Sequence, residues 1–362
     1  MKIAILGGGI AGLSTAIALQ KLGYEYTVYE AAKSIAPVGA GLGLGANAIK
    51  ALEHLGIVEE VIAKGRELGS FDILDRKGKL ITKTDTQRLS DQFGLNNFTI
   101  HRARLHEVLL NHIDGKRLQL NKRCTHIKSG INGLELFFDD RSVDYSDYLI
   151  VADGIHSNVR KQLVPASQPR YSGYTCWRAV LNYQTKGLQS TETWGEEGRF
   201  GIVPLDDDLL YWFACVNAPQ NDQSLKAYGA EEISVRFESF HQPIPSIIAA
   251  TQNHEIICGD IFDLKPLPQY AFGKVLLIGD AAHATTPNMG QGACQALEDA
   301  AWLKTLLNKA QDLEVVFKRF EKIRLKRTHW ITKQSRSIGS IAQLSSPFLV
   351  GLRNGLFRRI PE

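Results

Sequence analysis

The chain has 362 residues, enough for one large domain or two ordinary domains, each with a substantial core. Hydrophobic residues make up 44% of the sequence and charged residues 22%, which is typical of globular proteins in water. A net charge of +4 is too small to indicate a nucleic-acid partner, and no apolar run reaches the roughly 18 residues that a membrane span requires.

The cysteines and the N-terminus indicate a cytoplasmic protein. Five cysteines are scattered along the chain and form no Cys-x-x-Cys pair. This pattern argues against a disulfide framework and against a zinc site, so we expect buried thiols and no bound metal. The apolar start lacks the charged segment and the long apolar core of a signal peptide, and we interpret it as a strand.

The first predicted unit is a strand, a glycine-rich turn and a helix, in the sequence MKIAILGGGIAGLSTAIALQKLG. Gly7 leaves the strand, Gly9 admits a pyrophosphate close to the backbone, and Gly12 allows the helix to pack on the sheet. The helix N-terminus offers unpaired N–H groups to phosphates. A second apolar run, residues 24–29, ends at Glu30, whose carboxylate can accept hydrogen bonds from ribose hydroxyls. The unit predicts a site for an adenine dinucleotide such as FAD or NAD.

The sequence pattern changes in the middle of the chain. Strands are predicted at residues 134–138 and 147–154, still within the nucleotide-binding part. From about residue 171 to residue 262, short aromatic strands such as CWRAVL and LLYWFACV alternate with turn residues. This pattern predicts an antiparallel sheet that forms the roof of a substrate cavity. The chain returns to the nucleotide-binding fold at Gly273, so that domain is discontinuous.

A second strand–loop–helix unit follows in the sequence GKVLLIGDAAHATTPNMGQGACQALEDAAW. Its strand, residues 275–278, ends at Asp280, which can accept a hydrogen bond from a sugar hydroxyl. Gly290 and Gly292 allow backbone N–H groups at the next helix start to reach a flat ligand. That position suits the negative charge of a reduced isoalloxazine ring. An ordinary strand, loop and helix is the alternative, but the combination favours a flavin.

Three motifs in this order resemble the class A flavoprotein monooxygenases, the para-hydroxybenzoate hydroxylase-like family. They are GGGIAG with Glu30, ADGIHSNVR from Ala152 to Arg160, and GDAAHATTPNMGQG from Gly279 to Gly292. The chain looks most similar to the short single-component enzymes typified by urate hydroxylase, salicylate hydroxylase and plant zeaxanthin epoxidase.

The resemblance implies an α/β fold with a discontinuous Rossmann-like FAD-binding domain, an inserted, mostly antiparallel β-sheet substrate domain and C-terminal helices. Residues 1–168 and 269–325 would form the FAD-binding domain. Residues 169–268 would form the substrate-binding sheet, and residues 326–362 a C-terminal helical segment.

The resemblance also implies the FAD contacts. Arg102 would lie against the ribityl–pyrophosphate part of FAD, where a fixed cation is chemically sensible. Arg104 is the alternative for this role, and a solvated basic turn is another. Asp153 would lie near the pyrophosphate, in a motif also implicated in NAD(P)H use. The full set of family contacts falls on Gly7, Gly9, Ala11, Gly12, Glu30, Ala31, Gly43, Arg102, Cys124, Asp153, Asp280, Pro287, Gly290, Gln291, Gly292 and Ala293.

Three further features have a structural interpretation as well as a functional one. The glycine-rich run of residues 39–47 permits close approach to the isoalloxazine ring and movement of the ring, or it is a loose surface loop. Ser157 is expected to cap the helix that follows it. His283 is expected to make a structural hydrogen bond rather than act as a base.

The implied reaction uses NADH or NADPH as a transient co-substrate, and no second GxGxxG motif is present for it. A flavin C4a-hydroperoxide, formed with O₂, would transfer one oxygen atom to a small aromatic or heteroaromatic molecule. The substrate-facing and catalytic residues of the urate hydroxylase region fall on Arg199 and Tyr211. Strand alternation places Phe213 on the face of Tyr211 as an apolar wall. The alternative for Tyr211 is a half-buried sheet aromatic.

Two other functions stay open on the sequence. One is oxygenation of a larger isoprenoid or polyketide-like molecule by the same chemistry. The other is a flavin-containing protein that sequesters a ligand without efficient turnover. We expect a monomer or a homodimer in either case.

The C-terminal region is basic. Residues 318–327 are expected to form a solvated helix face. The tail from Phe348 to Arg359 mixes apolar residues with arginines. Contact with a membrane surface is one interpretation, and docking on the flavin domain or on a partner subunit is the favoured one.

Overall fold

The computed structural model describes residues 1–35, 40–85, 97–130, 133–206, 208–308 and 312–359. Its strands are β1 (Lys2–Leu6), β2 (Glu25–Tyr29), β3 (Gly41–Leu44), β4 (Gly65–Glu67), β5 (Ser70–Asp75), β6 (Leu80–Asp85), β7 (Phe98–His101), β8 (Leu118–Gln119), β9 (Cys124–Gly130), β10 (Gly133–Phe138), β11 (Val143–Ser146), β12 (Tyr148–Val151), β13 (Pro169–Asn182), β14 (Ser190–Trp194), β15 (Arg199–Pro204), β16 (Leu209–Asn217), β17 (Ile257–Leu264), β18 (Ala271–Phe272) and β19 (Val275–Leu277).

The helices alternate with these strands in the first part of the chain and follow them at the end. They are α1 (Ile10–Lys21), α2 (Ala46–Leu55), α3 (Val58–Ile62), α4 (Arg102–Asn111), α5 (Asn158–Leu163), α6 (Gln223–Lys226), α7 (Ala230–Arg236), α8 (Ile244–Ala250), α9 (Asp280–His283), α10 (Gly292–Leu307), α11 (Leu313–Ala342) and α12 (Pro347–Phe357).

A six-stranded sheet in the order β18–β19–β12–β1–β2–β8 forms the centre of the nucleotide-binding part. All neighbouring strands in it are parallel except β18 and β19. Residues 3–6 of β1 are completely or almost completely buried, which explains why the strand is a continuous apolar run. Because β1, β12 and β19 are parallel neighbours, their carboxyl ends meet at one edge of the sheet.

A seven-stranded sheet in the order β17–β13–β16–β15–β14–β5–β6 forms the second part. It is antiparallel except for the β14–β5 pair. One face carries Trp177, Phe200 and Trp212. These rings pack against a buried layer that includes Phe237, directly after α7, and Ile247 on α8. Strand alternation therefore turns the neighbouring residues, among them those of the predicted substrate site, toward the opposite face.

Two small antiparallel sheets complete the strands. One has the order β11–β10–β9 and contributes to the core of the nucleotide-binding part, and the other has the order β3–β7–β4. The predicted domain boundary at residue 168 assigns β5 and β6 to the FAD-binding domain, but both strands join the seven-stranded sheet. They do so because β5 pairs in parallel with β14, about 120 residues further along the chain.

The long helix α11 contacts α10, and the expectation of a solvated basic face is wrong in its middle. Arg324 is fully buried, and its guanidinium contacts the carboxylates of Asp299 at 2.7 Å and Glu298 at 2.5 Å. Arg327, on the next turn, pairs with Glu298 at 3.1 Å. The two carboxylates on α10 therefore hold the two helices together, since a buried guanidinium needs such partners.

None of the described helices combines the length and the apolar composition that a bilayer-spanning segment needs.

Candidate active site

The glycine-rich turn between β1 and α1 is fixed by steric contacts. Gly7 has φ +98°, and a Cβ on it would lie 2.3 Å from the carbonyl oxygen of Ala152 at the end of β12. A Cβ on Gly12 would lie 1.9 Å from the carbonyl oxygen of Gly7. Neither position can hold a side chain without a backbone shift. At Gly9, which precedes α1, a Cβ would meet no described atom within 4 Å, so the helix N-terminus faces open space.

Glu30 lies beside this turn at the end of β2. Its carboxylate accepts hydrogen bonds from the backbone N–H groups of Gly8 at 2.6 Å and Ala32 at 2.7 Å. Two such bonds fix the carboxylate and leave acceptor sites for the hydroxyls of a ribose. Ala31 lies between these groups in the same bend.

His106 on α4 is a residue that the sequence reasoning missed. Its Nε2 lies 2.6 Å from the carbonyl oxygen of Gly8. This contact attaches α4 to the glycine-rich turn and so places Arg102, the first residue of α4, at the same edge. The sequence does show a histidine one helical turn after Arg102. Its partner is a backbone oxygen, however, and no sequence pattern predicts that contact.

The second motif returns to the same edge after β19. Gly279 has φ +54°, and a Cβ on it would lie 2.7 Å from the Cβ of Ala11 in α1. The end of β19 therefore touches the first turn of α1. His283 contacts Asp299 at 2.7 Å, which confirms its expected structural hydrogen bond.

Asp280 begins α9 and faces the open side of this edge, where the residue is exposed. Surrounding protein atoms raise the pKa of its carboxyl group, while the charges of His283 and Arg102 lower it. Of the two arginines considered for this site, Arg102 is the one whose charge acts on Asp280. Arg104 forms an ion pair with Asp206 at 2.8 Å, which occupies it elsewhere.

Asp153 follows β12 at the centre of the edge. Its Oδ1 atom is buried and has no hydrogen-bond partner among the described residues. Burial raises the pKa of this carboxyl group to about 6, although Ser157 opposes the shift. Asp153 also lies close enough to Cys124 for its charge to act with burial in raising the pKa of that thiol to about 12. Ser157 accepts a hydrogen bond from the Arg160 N–H group at 3.0 Å, so its predicted role as a helix cap is confirmed.

An orphaned buried carboxylate oxygen indicates a missing partner, because leaving such an atom unpaired costs about 1–3 kcal/mol. A ligand hydroxyl or a water molecule at this edge would supply it. The open helix N-terminus, the fixed Glu30 and the orphaned Asp153 together fit a dinucleotide.

The glycines of the second motif lie at the start of α10. Gly290 has φ +62° and ends a short helical turn that begins at Pro287. A Cβ on Gly292 would meet no described atom within 4 Å, so the start of α10, including Ala293, opens onto free space. The side chain of Gln291 accepts hydrogen bonds from Asn47 at 3.1 Å and from Gln295 at 2.9 Å.

Strand β3 lies across this helix start. The thiol of Cys294 donates to the carbonyl oxygen of Gly43 at 3.5 Å, and a Cβ on Gly43 would meet no described atom within 4 Å. The part of the glycine-rich run that is described therefore forms one wall beside the α10 N-terminus. Gly39, the first residue of that run, lies outside the described residues.

The seven-stranded sheet reaches this wall through Tyr211. A Cβ on Gly41 would lie 2.5 Å from the ring of Tyr211, so the ring packs directly on β3. Phe213 lies on the same face, with its ring centroid 6.0 Å from that of Tyr211, as strand alternation predicted. Burial raises the pKa of the Tyr211 hydroxyl, which therefore stays protonated at neutral pH and can donate a hydrogen bond.

Arg199 lies on the same face but is only 2% exposed. Its Nη1 donates to Glu192 at 2.9 Å, and its Nη2 donates to Asn288 at 2.5 Å. Asn288 stands in the turn before Gly290 and itself donates to the backbone of Ser335 on α11 at 2.8 Å. One nitrogen of the guanidinium therefore pairs within the substrate sheet, and another ties the sheet to the second motif. Only Nε is buried without a partner among the described residues.

Arg178 is a second site residue that the sequence reasoning missed. It stands directly opposite Phe213 in the register of β13 and β16, so it shares the face of Tyr211 and Phe213. It is half-buried, and within the described parts of the chain it has no ion-pair partner. A cation inside the buried strand CWRAVL was the available signal, since unpaired charges are rarely placed there without a use.

Cys176 and Cys215 are also opposite one another on this face, and both are buried. Among the described residues, no group of three or more His, Cys, Asp and Glu side chains could hold a metal ion.

Comparison with known proteins decides the family. A family model described as FAD binding domain matches residues 1–314. The chain belongs to this family. Aurachin C monooxygenase/isomerase from Stigmatella aurantiaca is 36% identical over 361 residues, which cover 99% of this chain and 94% of the relative. The 2-heptyl-3-hydroxy-4(1H)-quinolone synthase from Pseudomonas aeruginosa is 31% identical over 375 aligned positions, which cover 100% of this chain and 95% of the relative.

A solved structure shows the same fold over nearly the whole length. Klebsiella pneumoniae HpxO complexed with FAD and uric acid is 29% identical to this chain and has a TM-score of 0.92, covering 99% of this chain and 93% of HpxO. The protein is an FAD-dependent monooxygenase of the class A flavoprotein type, acting on a small molecule. The predicted family, the α/β fold class and the FAD cofactor are thereby confirmed.

Proposed function

We propose that this class A flavoprotein monooxygenase uses NADH or NADPH and O₂ to hydroxylate a fused, nitrogen-containing heteroaromatic ring. The observation that carries the proposal is the face of the seven-stranded sheet formed by Tyr211, Phe213 and Arg178. This face lies beside β3, the strand that contains Gly43. An aromatic wall suits a flat ring, and an unpaired cation suits a ring that bears an anionic or carbonyl oxygen. The urate and quinolone in the names of the similar proteins are both fused nitrogen heteroaromatics.

FAD supplies the redox chemistry when it is bound, because it accepts hydride and activates O₂. The residues of this chain would hold it in two places. The N-terminus of α1 with Gly7, Gly9 and Gly12 would bind the pyrophosphate, and Glu30 would bind the adenosine ribose. The remaining part of FAD would bind at Arg102, Asp153, Asp280 and the N-terminus of α10. Strand β3, with Gly43, would lie beside the isoalloxazine ring.

The substrate-facing residues would orient and polarise the ring. Arg178 would attract the ring oxygen and favour its ionised form, which is the more electron-rich one. The neutral hydroxyl of Tyr211 would donate a hydrogen bond to the same substrate. Phe213 and the buried sheet behind it would exclude water from the cavity. Arg199 would act mainly by holding the substrate sheet against the turn that contains Asn288.

The test is a panel of compounds offered to the FAD-saturated enzyme: a 4-quinolone with and without a 2-alkyl chain, urate, and salicylate as a single-ring acid. We expect a fused heteroaromatic to stimulate NAD(P)H oxidation and O₂ uptake, and to yield a product that is heavier by one oxygen atom. Peroxide must be measured alongside, because an effector can accelerate NAD(P)H oxidation without being hydroxylated. Preference for salicylate over every fused ring would overturn the proposed substrate class.

Two other functions have distinct outcomes in the same assay. Turnover of a larger isoprenoid or polyketide-like molecule, with none of the panel accepted, would support the alternative oxygenation reaction. Tight binding of a ligand to the FAD-loaded protein, without any ligand-dependent NAD(P)H oxidation, would support a sequestering protein.

A further inference from the structure

The C-terminal helix α12 is attached to the molecule by one of its sides. Val350, Arg353 and Asn354 are buried, and Phe357 is half-buried. The guanidinium of Arg353 lies 4.8 Å from the ring of Trp194 and donates to the backbone of Ala342 at 3.0 Å. The helix therefore docks on the substrate sheet. The expectation that the tail docks on the flavin domain is wrong for these residues.

The opposite side of α12 is apolar and exposed. Phe348, Leu352 and Leu356 are spaced by four residues, so they lie along one face of the helix. They are 78%, 52% and 54% exposed, and Leu349 beside them is 41% exposed. Ile341, in the last turn of α11, is exposed as well. Such a row of large apolar side chains on one face marks an interaction surface.

Exposed cations lie beside the C-terminal end of this face. The sequence from Phe348 to Pro361 contains three arginines and no Asp or Glu, and one of the three, Arg353, is buried on the docked side. Arg359 is exposed just after α12, Lys79 is exposed just before β6, and Lys83 is exposed on β6, the strand that α12 contacts. The carboxylate of Asp75 near this helix end is paired with Arg358 at 2.6 Å.

An apolar helix face with exposed cations at one end is complementary to anionic phospholipids. A second copy of the same face would bring like charges together, which disfavours a symmetric dimer through this surface. We propose that the outer face of α12, formed by Phe348, Leu349, Leu352 and Leu356 with the flanking cations, binds the surface of an anionic lipid bilayer.

The position of α12 connects this surface to the substrate sheet. Trp194, on which α12 packs, stands directly opposite Arg199 in the register of β14 and β15. The helix therefore lies at the edge of the substrate-facing side of the seven-stranded sheet, the side that carries Arg199. Binding to lipid would place that edge next to the bilayer, where a lipophilic heteroaromatic accumulates. The lipid contact itself stands without the proposed function, and only this use of it depends on that function.

The experiment is flotation of the FAD-saturated, full-length enzyme with vesicles. One set of vesicles contains phosphatidylcholine alone, and the other contains phosphatidylcholine with phosphatidylglycerol. We expect binding to the anionic vesicles, at least tenfold weaker binding to the neutral ones, and a loss of binding at high salt. The double variant Phe348→Ser/Leu352→Ser should bind the anionic vesicles at least tenfold more weakly.

Trp302→Ser is the matched control, because Trp302 is also a large exposed apolar residue but lies on α10. It should bind like the unmodified enzyme. Retained FAD absorbance and circular dichroism show that the double variant is folded. Equal flotation of the double variant and the unmodified enzyme would overturn the proposal, as would absence of binding to anionic vesicles. A dimer that the double variant disrupts would assign the face to a second copy instead. No substrate is present, so a wrong substrate class cannot produce any of these outcomes.

Discussion

The ring of Tyr211 lies directly on Gly41, where a Cβ would fall 2.5 Å from the Cδ1 atom of the ring. This contact joins the substrate sheet to the short strand β3 that borders the predicted FAD site. The space for the ring exists only because residue 41 has no side chain. The two halves of the candidate site are thus set at a fixed separation by one glycine and one tyrosine.

Gly41→Ala should displace the Tyr211 ring, because the new methyl group would fall 2.5 Å from it. We expect FAD binding to be kept and the fraction of NAD(P)H consumption that yields hydroxylated product to fall several-fold. Gly69→Ala is the control, since a Cβ there meets no described atom within 4 Å. Product and peroxide measured on the same sample decide the matter, and unchanged coupling in Gly41→Ala would show that the ring can move without consequence.

Tyr211→Phe removes only the hydroxyl group and leaves the packing on Gly41 intact. Because burial keeps the pKa of this hydroxyl above its ordinary value, we expect its contribution to be constant from pH 7 to pH 9. Coupling on the true substrate should fall by about tenfold at every pH in that range, as expected for the loss of one hydrogen bond of about 1.4 kcal/mol. FAD affinity serves as the internal control. If coupling is unaltered, Tyr211 is a sheet aromatic and not a substrate contact.

Asp280→Ala should weaken FAD retention. A hydrogen bond to a charged group contributes about 1.5–3 kcal/mol, so the dissociation constant should rise roughly ten- to hundredfold. Asp280→Asn keeps an acceptor oxygen and should lose less. Asp222→Ala, which removes an exposed helix cap at α6, should leave FAD affinity unchanged. The measurement is titration of the apoprotein with FAD, and full affinity in Asp280→Ala would remove this residue from the site.

Arg178→Met should raise KM for an anionic or carbonyl-bearing substrate with little effect on FAD binding. We expect kcat/KM to fall by about tenfold or more, with recovery in Arg178→Lys, because the charge rather than the fork geometry is proposed to matter. Arg170→Met is the control, since Arg170 pairs with Asp263 at the other end of β13. The KM of an uncharged substrate analogue should change little in Arg178→Met. An equal loss for charged and uncharged compounds would assign Arg178 a packing role.

Local steric rules explain why the nucleotide-binding part could be predicted from the sequence. Gly7 and Gly12 are constrained by contacts within one strand–turn–helix unit and the neighbouring strand, so their spacing alone carries the information. The alternation that places Phe213 beside Tyr211 is equally local.

Pairings between distant segments could not be predicted in the same way. Arg324 lies in a basic run that has the composition of a solvated face, yet its partners are two carboxylates on another helix. Arg199 has the residue type of a substrate ligand, but Glu192 and Asn288 take two of its donors. The partners lie on other strands, helices or turns, and only the packed structure shows whether a charged side chain is already satisfied.

Asp299 provides a test of that buried cluster through the pH dependence of stability. Its carboxylate is fully buried and accepts hydrogen bonds from Gly279 N–H at 2.8 Å and from Arg324 at 2.7 Å. Burial alone would raise its pKa, but the charges of His283 and Arg324, together with hydrogen bonds from His283 and Gly279, lower it from 3.8 to about 2. A depressed pKa in the folded state stabilises the protein at pH above 3.8, and this contribution is lost as the pH falls toward 2.

Nearly two pKa units correspond to roughly 2 kcal/mol, which is the part of the acid-side loss of stability that Asp299 should account for. Asp299→Asn should therefore flatten the fall in the free energy of unfolding between pH 4 and pH 2. It should also lower that free energy at pH 7 by about 3–5 kcal/mol, because Arg324 loses a buried partner. Urea unfolding with FAD in excess measures both effects. Asp312→Asn, at an exposed carboxylate that begins α11, should keep the acid-side slope, and an equal slope in Asp299→Asn would show that Asp299 does not carry it.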